Sequence, residues 1–151
     1  MNKLLLSLLI LCSFQLSTMA NAAEENDKTV NAELKKTLTN KVLTAKEIES
    51  RAEKSGYLYL YCISNTAEKL KSMYPDSSES LVLSTINDSC QYPEDLYSIY
   101  NIVLAHQNMN KKVSEQDALS YLEKAYKAKG RDETNKEQRL KLFKALEITT
   151  E

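Results

Sequence analysis

From residue 44 onward, apolar or small side chains recur at Ile48, Ala52, Gly56, Tyr59, Ile63, Ala67, Leu70 and Tyr74. Steps of four with a single step of three keep such a stripe on one face of one helix. Thr44 and Glu47 have capping-box spacing at its start, and Leu43 can staple onto Ile48. Inside this span Gly56-Tyr-Leu-Tyr-Leu-Tyr-Cys62 also alternates as a strand does. A strand there needs a hairpin partner, yet the chain has two glycines in all and no Asn-Gly or Asp-Gly pair. The helical reading follows, with Gly56 tolerated as a kink.

The same periodicity marks four more helices. Pro75 ends the first, and Asp76 with Glu79 offers a cap for the next, whose apolar side is Leu81, Val82, Thr85, Ile86 and Cys90. Pro93 suits the first turn of a third, with Glu94 and Asp95 at its positive end and Leu96, Ile99, Tyr100 and Val103 as its stripe. Ser114 opens a fourth, with Ala118, Leu119, Leu122, Ala125 and Tyr126 on one side and Gly130 as its stop. Thr134 and Glu137 form a capping box for the last, which turns Leu142, Phe143 and Leu146 inward. The expectation is an all-α protein: a small bundle of about five helices packed as helical hairpins.

Ala118-Leu-Ser-Tyr-Leu-Glu-Lys-Ala-Tyr126 resembles the second helix of a tetratricopeptide or Sel1-like repeat. The helix before it offers Ile102 and Ala105, but His106 stands where such a repeat prefers a small residue, and no second copy follows. One unit cannot bury its own faces, so the match is read as helical-hairpin packing and no family is assigned.

The chain's start has another pattern. Met1-Asn-Lys3 is followed by an apolar run from Leu4 to Leu16, and Ala20-Asn-Ala22 has the small-x-small form of a signal peptidase site. A lipobox wants a small residue before its cysteine, and Leu11 precedes Cys12. Residues 1–22 are therefore read as a cleaved signal peptide of bacterial type. Residues 23–43 are then a polar leader, flexible or a short helix through Val30, Leu34 and Leu38, and residues 44–151 a single helical domain. The expected location is periplasmic or secreted. Cleavage leaves Cys62 and Cys90 as an even pair in an oxidising compartment, where a disulfide is expected. It also removes Lys3 and no acid, taking the formal charge from −1 to −2. With only doublets such as Lys111-Lys112, that balance argues against nucleic acid. No later segment is apolar enough for membrane insertion.

Catalytic material is sparse. His106 is the only histidine, and its neighbours Gln107 and Asn108 suggest a polar helix end. Metal, phosphate-loop and nucleophile-elbow motifs are absent, so no enzyme, metal or cofactor is expected. Glu94 and Asp95 diverge on a helix and are read as dipole partners of its first turn. The unusual feature is nine tyrosines against two phenylalanines and no tryptophan. Tyr59 and Tyr100 lie on core stripes, whereas Tyr57, Tyr61 and Tyr97 lie off them. Exposed tyrosine gives large contact area for little lost rotamer freedom, so these three are the candidate partner-binding residues; the alternative is a wider core, since a helix in the middle of a bundle is buried on two sides. The expected function is protein–protein interaction in the cell envelope, such as an inhibitor or an immunity protein that neutralises a secreted toxin or effector. The alternative is a small-ligand carrier or degraded enzyme with a pocket between helices.

Overall fold

The computed structural model describes residues 28–146, and the signal peptide reading and Cys12 lie outside them. Six helices follow in order among the described residues: α1 (Ala32–Thr37), α2 (Ala45–Met73), α3 (Glu79–Ser89), α4 (Gln91–Asn108), α5 (Glu115–Lys129) and α6 (Arg131–Ala145). Five main helices and the all-α class agree with the sequence pattern.

The α2 start is built as its sequence implies. The Thr44 hydroxyl accepts the Glu47 N–H, the Glu47 carboxylate accepts the Thr44 N–H at 2.8 Å, and Leu43 and Ile48 are both buried. Gly56 interrupts nothing, because the helix runs unbroken for 29 residues. Its missing side chain makes room for the Tyr97 ring, whose nearest carbon lies 3.3 Å from where a Cβ would stand.

Two predicted starts shift. The cap of α3 is Ser78, which accepts the Leu81 N–H, and not Asp76. Pro75 and Asp76 instead occupy the centre of a turn closed by the Ser77 N–H on the Tyr74 carbonyl, a place that proline's fixed φ favours. The last helix starts at Arg131, three residues before Thr134. Gly130, at φ 81°, ends α5 and leads directly into α6. Only glycine adopts that backbone cheaply. Thr134 is thus inside the helix, its hydroxyl donating to the Gly130 carbonyl at 2.6 Å.

Helices α2 and α4 form the central pair; α3 packs on α2, α5 on α4, α6 on α5, and α1 on α4. Two apolar clusters result. The first joins Val30 and Leu34 of the N-terminal arm to Leu43, Ile48, Ile99, Val103, Leu119, Leu122 and Tyr126. The second joins Tyr59, Ile63 and Ala67 of α2 to Val82, Ile86, Cys90 and Phe143. Residues 32–37 of the leader therefore take its short-helix form, with Val30 and Leu34 buried in the core. The disulfide Cys62–Cys90 ties α2 to the α3–α4 junction, with 5.9 Å between the Cα atoms. The repeat-like segment turns Ala118, Leu119, Leu122 and Tyr126 into the core.

Candidate functional site

Glu94 lies in the first turn of α4, as expected, but it and Asp95 are buried, and the dipole reading is corrected by what they meet. Glu94 takes a two-pronged contact from Arg139, Nε to Oε1 at 2.5 Å and Nη2 to Oε2 at 2.7 Å. It also accepts the Tyr59 hydroxyl at 2.6 Å. Asp95 pairs with Arg131 at 2.5 Å, accepts the Tyr126 hydroxyl at 2.8 Å and accepts the Asn31 N–H at 2.7 Å. The two carboxylates are not separate: Arg131 Nη1, on Asp95, also lies 3.9 Å from Glu94 Oε2 and bridges them.

A third carboxylate, Glu115 of α5, is also buried. It accepts the Tyr100 hydroxyl, the Arg51 guanidinium and, at 2.9 Å, the Thr39 N–H. Burial and then the Glu94 charge hold the Tyr59 hydroxyl above the usual phenol range, and burial with Asp95 does the same to Tyr126. Tyr100 is pushed up to about 12 by burial and by its bond to Glu115. Burial also raises the Asp95 carboxyl, against the pull of Arg131, the Asn31 N–H and the Tyr126 hydroxyl. All three carboxylates are occupied by donors of this chain. Such groups act as clamps: they fasten α2, α5, α6 and the N-terminal arm around α4.

The clamps hold α2 in one rotational setting. Tyr59 is 1% exposed and points inward, while Tyr57 and Tyr61 are 74% and 60% exposed and Leu58 is 41% exposed. Tyr57 and Tyr61 are one turn apart, so with Leu58 between them they form a ridge on one side of the helix. Glu53 and Lys54 flank it one turn earlier and line the same groove. Below the ridge lie the Tyr59 bond to Glu94, the Gly56–Tyr97 contact and the disulfide at Cys62.

The structure does not bring Tyr97 into this ridge. Its ring packs on Tyr59, with centroids 5.9 Å apart, and it is half-buried against the second cluster. Its open edge faces another groove with Asn101, Gln138 and Lys141. His106 is half-buried, Nδ1 donating to the Ile102 carbonyl at 2.9 Å and the ring stacked on Tyr121.

Sequence reasoning did not find the buried arginines. Arg131, Asn135, Arg139 and Phe143 are the buried residues of α6, spaced in strict steps of four. The period was present, but three of its four positions are polar, so a hydrophobic stripe does not reveal it. Among the described residues no helix is long and apolar enough to cross a membrane. The chain matches no protein-family model, no curated protein and no solved structure.

Proposed function

We propose that the mature chain is an exported, small helical binding protein of the cell envelope. It acts by protein–protein contact as an inhibitor or as an immunity protein that neutralises a secreted toxin or effector. The observation that carries this reading is the ridge of Tyr57, Leu58 and Tyr61, exposed on a helix that is clamped from within. Interface hot spots are enriched in tyrosine, and a surface held rigid before binding loses less entropy on contact. Export is supported by the sequence at residues 1–22 and by the Cys62–Cys90 bond, which suits an oxidising compartment.

The reading is tested by affinity capture from an envelope extract with the mature protein as bait, beside a Tyr57→Ala/Tyr61→Ala bait that melts at the same temperature. Partners held by the wild type and released by the variant support the ridge as the binding surface. An identical captured set on both baits opposes it.

A further inference from the structure

The other end of the bundle carries a cleft of about 620 Å³ between the start of α2, the end of α4 and the loop that joins α4 to α5. That volume is within the range of small-molecule sites. Its floor is the edge of the first core cluster, Leu43, Ile48, Val103 and Val113, with exposed Val42 beside it and the polar Thr44 and Gln107 also on the lining. Lys111 and Lys112 are both exposed on its lining, and no acidic residue lines it. No ion pair among the described residues engages either lysine.

The loop that places these lysines has a fixed shape. Asn110 adopts the left-handed backbone at φ 58°, a conformation asparagine tolerates better than most residues. The Asn110 N–H then bonds the Gln107 carbonyl and the Lys111 N–H bonds the His106 carbonyl, each at 2.9 Å. These bonds cap α4 and turn the chain back. Val113 is buried, so the backbone that carries the two exposed lysines is held between a closed helix end and the core.

We propose that this cleft binds a single-chain amphiphile with a carboxylate head, the apolar chain against the valine, leucine and isoleucine wall and the carboxylate at Lys111 and Lys112. The apolar side chains of the lining favour a hydrocarbon chain, and two unpaired cations with no acid on the lining itself select the sign of the head. The site is separate from the tyrosine ridge and does not depend on it.

Calorimetric titration of the mature protein with decanoate, below its micellar range, tests the proposal. Decyltrimethylammonium serves as the probe of opposite charge. One decanoate per chain should bind, with at least tenfold preference over the cation. Lys111→Gln/Lys112→Gln should weaken decanoate at least tenfold, while Lys69→Gln/Lys71→Gln, the same charge change on exposed residues at the far end of α2, should alter it less than twofold. Equal binding of the two amphiphiles, equal loss in the two variants, or no saturable binding would overturn the proposal.

Discussion

Tyr57 and Tyr59 are two residues apart on α2 and have opposite surroundings, one mostly in solvent and the other 1% exposed with its hydroxyl on Glu94. Tyr59→Ala should therefore destabilise the protein by roughly 3–5 kcal/mol, the cost of removing a large buried ring. Tyr57→Ala should change stability by about 0.5 kcal/mol or less, as for an exposed position. Arg139→Ala should cost about 3–5 kcal/mol, because it strips the buried Glu94 carboxylate of its two-pronged partner and leaves only the more distant Arg131, 3.9 Å away. Denaturant melts of the three variants check this order, and a mild Arg139→Ala would contradict the clamp. Helical spacing separates the two tyrosine faces in the sequence, but it does not say whether a neighbouring helix covers the Tyr57 face, and the structure leaves that face open. The role of Glu94 and Asp95 was not. Their arginine partners lie 45 and 36 residues further along the chain, so no local pattern announces the pairing.

Elements that carry their own signal were read well, and those defined by tertiary contact were not. The α2 cap, the α5 stop at Gly130 and the α2 stripe are local features. By contrast, α6 starts at Arg131, its polar face held by buried carboxylates on α4, and α3 is capped at Ser78 because the Pro75–Asp76 turn takes up the intervening residues. The α2 cap has a pH signature. Backbone and hydroxyl hydrogen bonds from Thr44, with Lys41 nearby, lower the Glu47 carboxyl from its ordinary 4.5 to about 2. A carboxyl with a depressed folded pKa contributes stability that is fully present above its ordinary value and is lost as the pH falls from there through about 2. An NMR titration of the Glu47 carboxyl should place its midpoint well under 4, and a midpoint near 4.5 would deny the capping box. The disulfide closes a 28-residue separation, worth roughly 3–4 kcal/mol in loop-closure entropy. Cys62→Ser/Cys90→Ser should accordingly lower the melting temperature by roughly 10 °C or more in a chain of this size. An unchanged melt would mean that the helices hold this junction without the bond.

At the scale of the whole molecule, the bundle is a rigid mount. Three buried carboxylates and one disulfide converge on α2, α4 and their neighbours, and the large apolar side chains left outward on α2 are Tyr57, Leu58 and Tyr61 at its middle and Met73 at its end. Export should yield a mature chain beginning at Ala23, and intact-mass measurement of protein from the envelope fraction reads this directly; a lipid mass on Cys12 would overturn it. The central claim is that the tyrosine ridge binds a protein partner while taking no part in folding. Its most direct test is the affinity of a captured partner for wild-type protein and for Tyr57→Ala/Tyr61→Ala, measured alongside the thermal melts of both. The account predicts nearly coincident melts with at least about tenfold weaker binding per tyrosine removed, the size of a hot-spot loss. Undiminished affinity, or a variant that unfolds as readily as Tyr59→Ala, would contradict it.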